Sequence, residues 1–150
     1  MAILINSIRN ILIYVIAVGS ILNWSICRAQ SIKVSSYGLE NHTKAIERAM
    51  RSSGDTIIID FISEPWVVDP LRFSGVENKV IVFEEGVSLW AKQGSFPNTN
   101  DALLTLIDCQ NIIIIGNNTK LCMSKEDYVE GEWRHGISLL GSKNIIIKNY

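Results

Sequence analysis

Histidine and cysteine are scarce in this chain, with two and three residues respectively among 150. His42 and His135 lie far apart, and no Cys/His spacing resembles a metal site. No metal ion and no cofactor is therefore expected. Aromatic residues make up only 8% of a sequence that is 47% hydrophobic, so the apolar mass is aliphatic. A charge excess is lacking too. The net charge is −1, with no basic block and no interleaving of basic and aromatic residues, which excludes nucleic acid as an expected partner. At 150 residues there is room for one domain and not comfortably for two.

The N-terminus has an apolar stretch that is too short to span a bilayer. It runs from Ile11 to Leu22, twelve residues where a membrane-spanning helix needs roughly 20. Arg9 is the only charge before it. A polar patch follows, then Cys27-Arg28-Ala29, with small residues at the −3 and −1 positions of a cleavage site. Residues 1–29 are expected to be a signal peptide cut before Gln30. An uncleaved anchor is the rival, and a lipid anchor on Cys27 is disfavoured by Ile26 before it. Cleavage removes Arg9 and Arg28 and no acid, leaving a net charge of −3. The mature protein is expected to be secreted, periplasmic or on the cell surface, with no stable membrane span. Cys109 and Cys122 remain, either as a disulfide that export permits or as two small buried thiols filling gaps.

What the sequence does contain is a repeat. Leu71-Arg-Phe-Ser-Gly-Val-Glu-Asn78, Leu104-Thr-Leu-Ile-Asp-Cys-Gln-Asn111 and Ile137-Ser-Leu-Leu-Gly-Ser-Lys-Asn144 align without gaps, 33 residues apart. Each opens with the period-two alternation of a strand, crosses small or polar residues to an Asn, and enters a second aliphatic run. The β-branched runs Ile112 to Ile115 and Ile145 to Ile147 favour strand over helix. One such unit cannot bury its own apolar face, whereas stacked copies can. The expected columns are Leu71/Leu104/Ile137, Phe73/Leu106/Leu139 and Ile81/Ile114/Ile147, with an asparagine ladder of Asn78, Asn111 and Asn144. Lys79 stands where the later copies have isoleucine. That suggests one inserted residue, which would take Asn78 out of the ladder.

Ahead of the repeats, residues 41–53 read as an amphipathic helix. Ala45, Ile46, Ala49 and Met50 share one face, Asn41 is the N-cap, and Gly54 is the expected stop. Such a helix would cover the open end of a solenoid.

The stretch "NHTKAIERAM…GDTIIIDFISEPWVVDPLRFSGVENKVIVFEEGVSLWAK" resembles the N-terminal part of pectate-lyase-superfamily proteins. These open with a helix like D-T-x-A-I-x-x-A, then G-G-T-V, an aromatic-containing turn and a strand before G-x-x-L. "CQNIIIIGNN" and "SKNIIIKNY" resemble the N-V-T-I coils of that superfamily, which includes polygalacturonases and other polysaccharide-degrading enzymes. The resemblance covers roughly residues 33–150 and departs from the pattern at Asn41-His42, where an acidic pair is the rule, and in a shortened segment before it. It implies an all-β fold, a right-handed parallel β-helix with a short N-terminal capping α-helix. Residues 30–150 would be the N-terminal part of that domain, the sequence stopping at Tyr150 inside an expected strand. The function implied is action on polysaccharide, as hydrolase or lyase, with the catalytic residues on later coils. The alternative is a non-catalytic surface or adhesin β-helix that binds glycan or cell-envelope partners.

Two long connections interrupt the coils, Lys92 to Asp101 and Met123 to Gly136. Loops on a rigid scaffold are where binding residues concentrate. The second holds Tyr128, Glu130, Glu132, Trp133, Arg134 and His135, the candidate contacts to a polysaccharide or cell-surface glycan. Aromatics stack on sugar faces, and Arg or carboxylates hold hydroxyls and uronates. The structural alternatives are a Trp133 that anchors its own loop and a His135 that only begins a strand. Glu84, Glu85 and Asp108 read as solvated turn charges.

Overall fold

The computed structural model describes residues 29–125 and 134–149. The chain opens with β1 (Ser31–Lys33), a single 3-10 turn (Val34–Tyr37) and helix α1 (His42–Arg51). Strands β2 (Thr56–Ile59), β3 (Trp66–Val68), β4 (Leu71–Ser74), β5 (Glu77–Phe83) and β6 (Ser88–Ala91) follow. Then come β7 (Ala102–Ile107), β8 (Gln110–Ile115), β9 (Lys120–Cys122), β10 (His135–Leu140) and β11 (Lys143–Lys148). All the pairings are parallel. Three sheets result: sheet A in the order β1-β2-β5-β8-β11, sheet B in the order β3-β6-β9, and sheet C in the order β4-β7-β10. From β3 onward the chain visits B, C and A in turn, three times.

The register is the 33-residue period. Leu71 pairs with Leu104 and Leu104 with Ile137; Phe73 pairs with Leu106 and Leu106 with Leu139. Ile81 pairs with Ile114, which pairs with Ile147. Inward residues of all three sheets belong to one core with Ala45, Ile46, Ala49 and Met50 of α1. The void that remains between Ile46, Met50, Leu71, Phe73, Ile81 and Leu89 is about 10 Å³, no more than one water would need.

The corner between sheets C and A repeats in detail. Gly75, Asp108 and Gly141 all have positive φ, and so do Asn78, Asn111 and Asn144 at 55°, 53° and 54°. Gly and Asn tolerate that conformation best, which is why they recur there. Asn111 Nδ2 donates to Asn78 Oδ1 at 2.8 Å, and Asn144 Nδ2 to Asn111 Oδ1 at 3.0 Å. Asn78 is therefore in the ladder, and there is no insertion: Lys79 pairs directly with Ile112. A lysine fits an isoleucine column because its stem lies on apolar surface while Nζ reaches out. Here Nζ donates to the carbonyls of Ser52 (2.7 Å) and Gly54 (2.5 Å), just past the end of α1.

Helix α1 is capped by Asn41, whose Oδ1 accepts from the Lys44 N–H at 2.9 Å. Its end differs from expectation. The helix closes at Ser52, whose hydroxyl and N–H both donate to the Ala49 carbonyl. Gly54 does not take the left-handed conformation of a helix stop. It is glycine because a Cβ there would lie 2.5 Å from Ile32 Cδ1.

Cys109 and Cys122 are both free thiols. Cys109 is a buried gap-filler whose Sγ donates to the carbonyls of Phe73 and Ile107, each at 3.4 Å. One coil later Ser142 Oγ makes the equivalent bonds to Leu106 and Leu140. Cys122 is half-buried on the outer face of sheet B. Among the described residues, no helix is long and apolar enough to cross a membrane.

Candidate functional site

Among the described residues, sheet B alone presents a large aromatic side chain outward. In β6 the alternation buries Leu89 and leaves Trp90 48% exposed. The parallel register puts Val67 on one side of Trp90 and Cys122 on the other, a row across all three strands. The row runs between two depressions. One, of about 400 Å³, is lined by Trp90, Ala91, Gln93, Cys122, Met123 and Ser124. The other, of about 230 Å³, lies where the start of α1 meets the edge of β3. Glu40, Asn41, His42, Thr43, Asp69 and Lys92 line it together with Leu39 and Val67.

The polar depression is built by the need to close an edge strand. On its open side β3 has backbone N–H groups at Val67 and Asp69 that sheet B does not use. An unpaired edge invites association with other chains. Here the Val67 N–H donates to His42 Nδ1 at 2.9 Å, and the Asp69 N–H to Thr43 Oγ1 at 2.9 Å. The His42 ring also rests against Trp66, centroids 5.0 Å apart. His42 thus has a structural use: the lone pair of its Nδ1 accepts a hydrogen bond from a backbone N–H of the edge strand.

Asp69 is held in place from three sides. Its Oδ1 accepts from Ser95 Oγ at 2.7 Å and pairs with Lys92 Nζ at 3.3 Å, while Oδ2 accepts from Thr43 Oγ1 at 3.3 Å. The Ser95 hydroxyl is the largest cause holding its carboxyl below the usual carboxylate range; burial opposes it next, and Lys92 and then Thr43 add to the lowering. A carboxylate so engaged accepts hydrogen bonds and positions Lys92. It is not free to act as an acid. Among the described residues, no group of three or more His, Cys, Asp or Glu is placed to hold a metal ion.

Of the six glycan-contact candidates named from sequence, Tyr128, Glu130, Glu132 and Trp133 lie outside the described residues. Arg134 and His135 are described. Arg134 donates from Nε to the Phe96 carbonyl (3.4 Å) and from Nη2 to that of Pro97 (3.2 Å). It thereby ties the two long connections together. Phe96 beneath it is buried. His135 begins β10, with its N–H donating to the Asp101 carbonyl at 3.2 Å and its side chain exposed. Glu84 is more than a solvated charge. It is half-buried, accepts from the Phe61 N–H at 2.9 Å and pairs with Lys33 Nζ at 2.9 Å. Glu85 and Asp108 are exposed in turns, as expected.

Trp90 was not singled out from sequence. The available signal was an outward position of a short strand occupied by the largest apolar side chain. Period-two reading assigns Leu89 inward and thereby Trp90 outward.

Comparison of the chain with protein-family models, with curated proteins and with solved structures gave no match in any of the three.

Proposed function

We propose that this chain is part of an exported right-handed parallel β-helix that binds polysaccharide along the outer face of sheet B. The coiled reading is supported by the parallel pairing of all the strands and by the B–C–A order in which the chain visits the sheets. Parallel crossovers are right-handed in nearly all known cases, which supplies the hand. Residues 1–29 are the signal peptide in this reading. Intact mass of the exported protein tests that, with a product beginning at Gln30 expected. The resemblance to the pectate-lyase superfamily supplies the substrate class, since fold alone does not.

The observation that carries the binding role is Trp90, exposed on the outer face of sheet B between two depressions. An indole plane stacks on the apolar face of a sugar ring, and the hydroxyl edge then meets groups such as Gln93 and Asn41. The row from Val67 to Cys122 crosses three strands, about 10 Å at the usual strand spacing. Adding the α1 end gives a track long enough for a short run of sugars. Titration of the protein with soluble polysaccharides, followed by tryptophan fluorescence or calorimetry, tests it. Saturable binding that Trp90→Ala weakens about tenfold or more is expected, a loss of about 1.4 kcal/mol. Unchanged binding in that variant would refute the assignment.

A non-catalytic, adhesin-like role is the second reading. It is favoured by the engagement of Asp69, the half-buried carboxylate of the polar depression, with Ser95, Thr43 and Lys92. Glycosidases need two available carboxyl groups facing one bond. Turnover of a bound polysaccharide, detected as new reducing ends or unsaturated products, would favour hydrolase or lyase over adhesin.

A further inference from the structure

We infer that this face selects neutral glycans over uronate-containing ones, an inference that rests on the binding role proposed for Trp90. The argument is one of charge. A polyuronate brings one carboxylate per residue, and each needs a cation or an exposed position in water to offset its desolvation. None of the six residues lining the depression beside Trp90 is charged. In the polar depression the one cation, Lys92, is 3.3 Å from Asp69 and is neutralised by it. Glu40 lines the same depression, so the charges there sum to −1.

An anionic chain laid along the row from Val67 to Cys122 would therefore meet an indole, thiol and amide at one end and a net negative charge at the other. A neutral chain meets the same surface without penalty. Its hydroxyls find acceptors in the Asp69 and Glu40 carboxylates and both donor and acceptor in Gln93. Lys120 and Lys125 are exposed cations outside the lining of the two depressions. Lys120 pairs in register with Ser88, two residues along the strands from the Trp90–Cys122 pair and on the same outward face, and Lys125 follows Ser124. Both flank the row from Val67 to Cys122 instead of standing in it.

The test uses the full chain and two probes of equal length, a β-1,4-linked hexamer of glucose or xylose and a hexamer of galacturonate, at low ionic strength where charge effects are largest. The neutral hexamer is expected to bind at least tenfold more tightly, and Trp90→Ala to remove that binding. Gln93→Arg, an exposed substitution that adds a bidentate cationic donor beside Trp90, is expected to raise galacturonate affinity at least fivefold and so to narrow the preference for the neutral probe. Circular dichroism confirms that each variant is folded.

Galacturonate binding that is tighter than neutral binding and is lost in Trp90→Ala or Lys120→Gln would overturn the selectivity and leave the binding role standing. If neither probe binds, or Trp90→Ala changes nothing, the binding role falls and the selectivity falls with it.

Discussion

Sheets A and B are built on the same parallel register, yet their outer faces have opposite characters. Beyond the core-facing isoleucines, sheet A carries aliphatic residues outward as well: Ile58, Val80, Val82, Ile113, Ile115 and Ile146, the last 53% exposed. Sheet B carries Val67, Trp90 and Cys122 outward, with Asp69 and Lys92 at the strand ends. Sheet A is entered through a corner that repeats the same backbone conformation and the same Asn, whereas sheet B is left through connections of unequal length. Regularity goes with stacked aliphatic columns in this molecule, and irregularity with a varied outer face. Where each coil copies the last, a side chain has to stack on its own kind. Where the copies differ, the surface is free to hold a tryptophan, an ion pair and a depression.

The contrast can be broken most directly in β8, whose two faces belong to different environments. Ile114 is fully buried and Ile113 half-buried on the outside. Ile114→Ala should cost about 2–5 kcal/mol, because a cavity remains where the methyl groups were. Ile113→Ala should cost less, about 1–2 kcal/mol, since part of the lost area was already in contact with water and no enclosed cavity is left. Denaturant unfolding of both variants measures the difference. Equal losses would mean that the outer face of sheet A is as well packed as the inner one.

The corner is the next target. Gly141 has φ of +63°, and a Cβ there would meet Asp108 Oδ1, the free end of an exposed side chain. Gly141→Ala should cost about 1–3 kcal/mol, from left-handed strain and the clash together. Asp108→Gly removes the colliding carboxylate and relaxes a non-glycine φ of 51°. In that background Gly141→Ala should cost measurably less. The double-mutant cycle isolates the contact.

A smaller effect is expected inside the ladder. Asn111 donates to Asn78 and accepts from Asn144. Asn111→Gly keeps the positive φ at no steric cost and removes both bonds, so it should lose about 1 kcal/mol. Asn111→Ala should lose more, because alanine also resists the left-handed conformation. The order alanine, then glycine, then wild type in rising denaturation midpoint is the check.

This corner was also the most legible part of the sequence. A gapless period of 33 and a recurring Asn gave the register and the ladder, because stacking forces equivalent residues into equivalent geometry. The reading failed where a residue reached outside its own coil. Lys79 looked like an insertion because its partners, the carbonyls of Ser52 and Gly54, come from another element. Gly54 looked like a helix stop because its true constraint, Ile32, is distant in sequence. The polar depression was invisible for the same reason. His42, Thr43, Asp69, Lys92 and Ser95 are brought together by packing α1 against the edge of β3, and no spacing announces that. The loop from Met123 to Gly136 drew attention by composition, while the tryptophan on the described surface stood in the short strand before the first long connection.

The smallest expected effect is electrostatic, and it distinguishes the two regions by pH. Asp69, beside sheet B, and Glu84, after β5 of sheet A, both have carboxyls held below the usual range. Ser95 and Lys92 are the causes for Asp69, and the Phe61 N–H and Lys33 for Glu84. A depressed carboxyl contributes stability that is present above its unfolded-state value, near pH 4, and is lost as pH falls through the folded value. Lys33 is shifted the other way, raised by its hydrogen bond and attraction to Glu84. Its contribution is complete below about pH 10.5 and is lost as pH rises through the folded value. The Lys33–Glu84 pair should therefore weaken at both ends of the pH scale, and the Asp69 cluster at the acid end through its carboxylate. Thermal unfolding of wild type, Glu84→Gln and Asp69→Asn between pH 2.5 and 11 reads this directly. Each carboxylate variant should show a shallower acid limb than wild type, and only Glu84→Gln should also lose the alkaline decline owed to Lys33. An acid limb unchanged in both variants would mean that these exposed contacts contribute nothing measurable, as many surface ion pairs do. Sheet B's polar edge would then rest on the neutral bonds from Val67 and Asp69 to His42 and Thr43.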